Sequence, residues 1–445
     1  MLRIILLIIG LFVLLNRIHA QETWNLERCI GYALEHNIDI NRSTHQLDNQ
    51  KINVTESKAR LLPSLNAGSD LAMNFGRNID GNTNEVTFDQ TLGNNYWVQT
   101  SLNLFQGLVN YNTMVYNSYL LVAMEQSTEH EKNQLIIKVI SAYYAYIYTH
   151  GLWQVAVNQT TLAEQLYQRM QKLVGVGKES PVTLQELKSN WASDKHNSTL
   201  ARNNAEKSLL ELKQLIRMKA SDTFTIENND ETPLVINPIP DVDSLFNVAV
   251  QRMPQIRYQE NMVRAAQKDL AVAKGSISPQ LYLSAGLYSD YFDANRPDEI
   301  TPAFSTQIRN NQSQQLRIGI SIPVFNGAST YSKIKRKQIV ISDQNLQLEK
   351  QKETLYAEVW NLVNNLESAY NEYLSSHEWN NYSQVALGQV THKMEKGLAS
   401  VTDFQIAKQQ AAMAEAGLLK ARLLYQMQIK LLGFYETGGW EPVNL

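Results

Sequence analysis

From Gly107 to Gly177 the chain keeps a helical pattern for about 70 residues without one proline, and a second arm from Gly327 to Lys396 does the same. At ~1.5 Å per residue an unbroken helix of that length is a rod of roughly 105 Å, which no ordinary globular core needs. Each arm ends in a punctuated turn. In the first, Gly175-Val176-Gly177-Lys178-Glu179-Ser180-Pro181, Gly177 suits the left-handed position that ends a helix, Ser180 the N-cap of the next, and Pro181 its first position. Shifting the sequence by 220 places lays Phe325 on Phe105, Gly327 on Gly107, Gly397 on Gly177 and Ser400 on Ser180. A period that long marks a duplicated architecture.

The helices after the turns repeat as well. Leu184, Leu187, Trp191, Asp194, Ser198, Ala201, Ala205, Ser208 and Leu212 match Phe404, Ala407, Ala411, Ala414, Leu418, Ala421, Tyr425, Gln428 and Leu432 in steps of three and four. That is the coiled-coil period, and its small residues let helices approach closely. Ahead of each half lies a shorter helical stretch, Asn25 to Leu62 and Val242 to Ile277, with a bend at Asn37-Ile38 and at Pro254; here the offset is 216. The two halves therefore differ by four residues in the segment that follows, as loops allow.

A net charge of −3 with 44% hydrophobic residues excludes a nucleic-acid binder by charge and a disordered chain by composition. Residues 1–20 read as a secretory signal, with Arg3, an apolar run from Ile4 to Leu15, and Ile18-His19-Ala20 as the cleavage site. Cys29 is the only cysteine, so stability comes from packing and not from an internal disulfide. Leu26-Glu27-Arg28-Cys29 resembles a lipidation box faintly, but it lies among charged residues and reads as a packed thiol. After residue 20 there is no run of 18 apolar residues, which excludes a spanning helix there and leaves a closed β-barrel as the way across a membrane.

Two alternating stretches per half supply the strands. Leu65, Ala67, Ser69, Leu71, Met73 and Phe75 alternate with Asn66, Gly68, Asp70, Ala72 and Asn74; Tyr96, Val98, Thr100, Leu102 and Leu104 with Trp97, Gln99, Ser101 and Asn103; Leu281, Leu283, Ala285 and Leu287 with Tyr282, Ser284, Gly286 and Tyr288; and Leu316, Ile318, Ile320 and Ile322 with Arg317, Gly319 and Ser321. One face is apolar and the other polar, at the length a tilted strand needs to cross a bilayer. Tyr96, Trp97, Tyr288, Tyr291 and Phe292 cluster near one end, where an aromatic girdle belongs. A strand half-buried in a soluble sandwich would alternate equally well. Residues 76–95 and 293–315 read as long polar loops, and a strand pair is conceivable at Phe224 to Ile226 and Leu234 to Ile236. The resulting division is a signal over 1–20; a first repeat over 21–219, with strands at about 65–75 and 96–104 and a hairpin over 107–219; and a linker over 220–241. A second repeat over 242–433, with strands at about 281–291 and 316–324 and a hairpin over 327–433, precedes a short non-helical tail over 434–445. Each long arm equals in length the two shorter helices of its half, so each half makes a two-stranded column. Four strands cannot close a barrel, because the smallest have eight; two chains would give eight strands and three would give twelve.

The chain resembles the TolC-like outer membrane efflux proteins over nearly all of residues 21–435. The likeness rests on repeated motifs: the bends Ala33 to Asn37 and Ala249 to Pro254, the strand entries Leu62-Pro63-Ser64-Leu65 and Ser278-Pro279-Gln280-Leu281, and the exits Leu102 to Gly107 and Ile322 to Gly327. The tips Gly177 to Gln185 and Gly397 to Gln405 complete it. The resemblance implies a mainly α protein with a membrane β-barrel, a homotrimer with twelve strands and twelve helix columns. It further implies passive export across the bacterial outer membrane, from a periplasmic adaptor and an inner-membrane pump of a tripartite efflux or type I secretion system, without a cofactor. In that family aspartates near the second tip narrow the periplasmic mouth. Asp403 falls on the first of them, Ile406 stands at the place of the second, and Thr183 is the first-repeat equivalent of Asp403. The candidate site therefore comprises Gly177, Ser180, Thr183, Gly397, Ser400 and Asp403 at the tips, and Leu71, Met73, Leu102, Leu104, Leu283, Leu287, Ile318 and Ile320 against lipid. Ser400 with Asp403 also approximates a capping box, a purely local role.

No phosphate loop, nucleophile elbow, zinc helix or paired metal cysteines occur, so the sequence offers no enzyme constellation. His36, His45 and Glu129-His130-Glu131 lie on polar helical stretches, where a solvated histidine is the ordinary case. Tyr143-Tyr144-Ala145-Tyr146 reads as inter-helix core rather than a ligand platform. The competing reading is a periplasmic or surface coiled-coil interaction protein without a channel, which leaves the four strands unexplained.

Overall fold

The computed structural model describes residues 23–79, 84–88, 90–219, 225–226, 238–293 and 301–440. The signal over 1–20 and the conceivable strand at Leu234 to Ile236 lie outside these residues. In chain order the elements are β1 (Thr23–Trp24), α1 (Leu26–His36), α2 (Ile38–Ala59), β2 (Ser64–Asn74), β3 (Asn78–Ile79), β4 (Val86–Thr87), β5 (Thr91–Phe105), α3 (Val109–Gly175), α4 (Pro181–Leu215) and β6 (Thr225–Ile226). The second half follows with α5 (Val242–Arg252), α6 (Pro254–Gly275), β7 (Gln280–Asp293), α7 (Phe304–Asn310), β8 (Ser313–Ser321), α8 (Ser329–Glu395) and α9 (Val401–Thr437).

The duplication is visible helix by helix. α1 and α5 have 11 residues each, α2 and α6 have 22, and α3 and α8 have 67, or about 100 Å of unbroken helix apiece. Asn25 and Asp241 cap α1 and α5 in the same manner, each side chain accepting from the backbone N–H three residues on. The first bend is local chemistry: Asn37 leaves the helical region, and its Oδ1 accepts from Asp39 N and Ile40 N to start α2. At the second, Pro254 occupies the first position of α6, where its missing N–H costs nothing.

The chain falls into two compact units. One comprises residues up to 44, 127–256 and from 351 onward. Its core is helix on helix: Val139, Ile140 and Tyr143 of α3, Leu355, Val359 and Leu366 of α8, and Ala411, Ala414, Ala421, Tyr425 and Leu432 of α9 are all buried. The α9 seam is thus buried at its small positions, where alanine lets backbones come close. Trp24, Cys29, Ile30 and Ala33 are buried as well, and Trp24 belongs to the parallel pair β1–β6, in which Thr23 faces Thr225 and Trp24 faces Ile226. So Ile226 does belong to a strand, in which it pairs with Trp24.

The other unit comprises residues 45–126 and 257–350. It holds a four-stranded antiparallel sheet in the order β2-β5-β7-β8. Where β5 gives way to α3, Gly107 takes φ 60° and lies so close to Gly275 O and Ser278 that a Cβ would collide with them. Leu108 follows with φ 59°, and the second repeat copies this with Gly327 and Ala328 at φ 63° and 61°. Two successive left-handed residues turn the chain sharply, and glycine carries the first without strain.

Several boundaries differ from those read in the sequence. The supposed loop 76–95 contains the short hairpin β3–β4 and the first rungs of β5; the supposed loop 293–315 contains α7. This is where the four-residue difference between the repeats resides. β8 starts at Ser313 and ends at Ser321, short of 324, since Pro323 cannot donate to a ladder. The tail from 434 is not free of helix: α9 continues to Thr437, where Gly438 closes it at φ 82° with its N–H on Phe434 O.

Candidate functional site

The register of the sheet assigns its faces. Residues directly opposite one another share a face, so Ala67–Val98–Leu287, Leu102–Leu283–Ile318 and Leu281–Ile320 form continuous apolar rows, with Leu65, Leu71 and Met73 on the same side of β2. Away from Tyr96 and Tyr291, where α7 packs, this face lies open in the single chain. Leu316, Ile318 and Ile320 are 73%, 67% and 65% exposed, and Leu65, Leu71, Met73 and Leu287 are exposed as well. A sandwich would bury one face, and neither is buried here. Leu65, Val98, Thr100, Ala285, Leu287 and Leu316 line a shallow groove of about 550 Å³ on this side.

Two readings change with the register. A bulge falls between Asn103 and Phe105, so Phe105 and not Leu104 stands opposite Leu281 and strict alternation ends one residue early. Leu104 is therefore an unpaired residue at the strand end rather than part of the regular apolar band. The aromatic cluster also divides: Tyr96 and Tyr291 lie on the apolar face, where each packs against Phe304 of α7 at 5.9 and 5.5 Å, but Trp97, Tyr288 and Phe292 lie on the polar face. A girdle needs both faces sorted, and alternation with period two sends adjacent aromatics to opposite sides. α7 is held down by Gln307, almost fully buried, whose amide bonds Phe292 N and O and Pro302 O.

In the other unit the two tips come together. α3 ends with Gly177 at φ 73° and bonds from Lys178 N to Leu173 O and from Gly177 N to Val174 O; α8 ends identically with Gly397 at φ 73°, Leu398 N on Lys393 O and Gly397 N on Met394 O. These paired bonds satisfy the last carbonyls of each long helix. Ser180 caps α4 by accepting from Val182 N at 3.2 Å. Ser400 does more. Its hydroxyl accepts from Asp403 N at 3.1 Å and donates to Asp403 Oδ2 at 2.7 Å, and its N–H donates to the same carboxylate at 3.0 Å. These bonds hold the Asp403 carboxyl below the usual carboxylate range, the Ser400 hydroxyl first and its backbone N–H second, although Asp403 is fully exposed. Thr183, the first-repeat equivalent, is half-buried and the first tip has no such box.

Met170, Leu187 and Val401 form one buried cluster with Leu166, Leu173, Val174, Leu184 and Met394 around it, joining the tips of both repeats. Arg169 Nη1 donates to Glu395 Oε1 at 2.6 Å across the repeats. Deeper in, Lys408 of α9 is ion-paired with Asp194 of α4, with only 4% and 19% of the two side chains exposed. Tyr167 stacks on Trp191 beside this pair at 5.4 Å, and Lys195 Nζ lies 5.1 Å from the indole. The sequence reading missed both cross-repeat ion pairs. A visible signal was Asp194, a charge at a seam position otherwise filled by apolar or small residues.

The sequence profile of the outer membrane efflux proteins matches residues 29–216 and 245–433, both repeats nearly end to end. The chain belongs to the outer membrane efflux protein family. As an outer membrane efflux protein it resides in the bacterial outer membrane and extends into the periplasm. It is 20% identical over 423 residues to the probable outer membrane lipoprotein SilC of Salmonella typhimurium, covering 93% of this chain and 86% of that protein. The solved structure of CusC, described for conformational changes accompanying folding and transmembrane channel formation, has a TM-score of 0.79 at 16% identity, covering 93% and 92%. The outer membrane channel CmeC of Campylobacter jejuni gives 0.77 at 15% over 94% and 87%, and the open state of the MtrE channel of Neisseria gonorrhoeae 0.75 at 16% over 93% and 89%. At these identities the likeness to CusC, CmeC and MtrE is one of fold. The efflux protein's Cys29 is buried in α1, its thiol pushed up to about 12 by burial. His36 Nδ1 is within hydrogen-bond distance of Tyr32 O, at 3.0 Å, and its ring stacks on Tyr32 at 3.9 Å, while Tyr143 is core.

Proposed function

We propose that three copies of this chain close a twelve-stranded barrel continued by twelve helical columns, forming a passive duct fed by a periplasmic adaptor and an inner-membrane pump. The single observation that carries this reading is the sheet: a largely apolar face, open over most of its length, flanked by β2 and β8, which are edges among the described residues. In lipid an open edge leaves N–H and C=O groups unsatisfied at several kcal/mol each. The strands alternate in direction, so β8 of one copy meets β2 of the next antiparallel, as closure requires. Four strands are too few, and the resemblance supports three copies over two. Leu71, Met73, Leu102, Leu283, Leu287, Ile318 and Ile320 then face lipid, and Asn66, Gln99, Ser284 and Arg317 face the lumen.

At the tips, three copies of Asp403 would ring the mouth and attract cations, with the Met170–Leu187–Val401 cluster holding the closed state against their repulsion. Amine cross-linking in isolated outer membranes tests the assembly: the ladder ends at three. A ladder ending at one overturns the duct in favour of a coiled-coil protein without a channel. Asp403→Asn should weaken divalent-cation block in single-channel recordings, and unchanged block would leave Asp403 a helix cap alone.

A further inference from the structure

The polar face of the sheet carries aromatic rings packed against glycines. A Cβ at Gly68 would strike the Trp97 indole, one at Gly319 the Tyr282 ring, and one at Gly286 the Tyr288 ring at 2.6 Å. Gly68 and Trp97 are direct cross-strand partners, as are Gly319 and Tyr282, so each glycine makes room for the ring beside it. With no Cβ beneath it, each ring packs close against the strand backbone. Trp97 and Tyr288 are rooted directly opposite one another across β5 and β7, the indole leaning over Gly68 of β2 and the phenol over Gly286 one rung along β7.

The neighbouring rungs give that surface its charge preference. One step along lie Asp70, Asn95 and Asp290 in register, all exposed, and one step further Phe292 opposite Gly93. Rungs on one face are two residues apart, about 6.6 Å, close to the range over which a cation is drawn to a ring face. In the other direction the next rung is neutral, Asn66, Gln99, Gly286 and Gln315; the cation Arg317 is rooted one rung beyond it, and its Nη2 reaches back to Gln315 Oε1 at 3.4 Å.

We propose that the Trp97–Tyr288 rung and the Asp70–Asp290 rung together form a weak binding site for planar aromatic cations on the wall of the duct. This rests on the duct reading, in which the polar face lines the lumen and three copies place six rings beside six carboxylates. Stacking and cation–π contact take the flat face of the solute while the carboxylates offset its charge. Low affinity at each site is what conduction requires, since solute must leave as readily as it enters.

The test is block of the reconstituted full-length channel in planar bilayers by ethidium, tetrapropylammonium and pyrene sulfonate. Ethidium should block at lower concentration than tetrapropylammonium, and pyrene sulfonate should not block. Trp97→Leu and Tyr288→Leu should each raise the half-blocking ethidium concentration about two- to fivefold and that of tetrapropylammonium, which has cation–π contact but no stacking, by less, while Tyr288→Phe keeps the ring and the block. Asp70→Asn with Asp290→Asn should weaken both cations. Ring deletions without effect on ethidium, or equal block by pyrene sulfonate, overturn the site. If the leucine variants fail to assemble, the wild type still decides: ethidium no better than tetrapropylammonium refutes the aromatic contact. A wild type giving no conductance steps fails differently, by overturning the duct itself.

Discussion

Replacing Ile318 with arginine distinguishes a sheet facing lipid from one facing water. Ile318 sits opposite Leu283, which sits opposite Leu102, in the middle of the apolar band, and is 67% exposed in the single chain. If that face met water, only the buried third of the side chain would be lost, about 0.5–1 kcal/mol of the ~1.5–3 kcal/mol for a whole isoleucine. If it meets lipid near the midplane, arginine costs ~2–4 kcal/mol, or about 30- to 700-fold in the folding equilibrium. The comparator is Ser321→Arg, on the opposite face and opposite Gln280, where Arg317 is already tolerated. Urea unfolding in lipid vesicles, followed by the heat-modifiable oligomer band, reads both variants. Ile318→Arg should lose the larger amount and Ser321→Arg less than ~1 kcal/mol; equal losses, or less than ~1 kcal/mol at Ile318, would refute a lipid-facing band.

Four further outcomes follow from the helical unit. Ser400→Ala should destabilise the start of α9 by about 0.5–2 kcal/mol, seen as a lower melting temperature, and the Asp403 contribution should show in pH. Because the folded carboxyl lies below its usual value of ~3.9, its stabilisation is complete above that value and fades as pH falls through the lowered one, so Asp403→Asn should flatten the melting profile on the acid side. Lys408→Met should cost ~3–5 kcal/mol by stranding the Asp194 carboxylate, and adding Asp194→Leu should recover most of it; an unchanged double variant would show that the pair is not the cause. Native protein should resist a maleimide at pH 8, because Cys29 is both buried and held protonated by a pKa of about 12, and should label on unfolding; rapid native labelling would contradict the packing of α1.

The long helices, their ends and their duplication were legible in the chain itself, because these are local. A proline-free run at helical period, Gly177 and Gly397 where left-handed backbone is needed, and Ser180-Pro181 after them determine start and stop without any partner. Alternation likewise assigned Leu283, Ile318 and Ile320 to one face. Tertiary structure alone decided what depends on register and on distant contacts. The bulge at Asn103–Phe105 displaced Leu104, and cross-strand pairing set Gly68 beneath the Trp97 indole and Gly319 beneath the Tyr282 ring, a role for glycine that no single strand reveals. Lys408 met Asp194 only because two repeats pack side by side. Periodicity is a property of neighbours along the chain; a rung across strands or an ion pair between helices joins residues tens to hundreds apart, so only the folded structure specifies it.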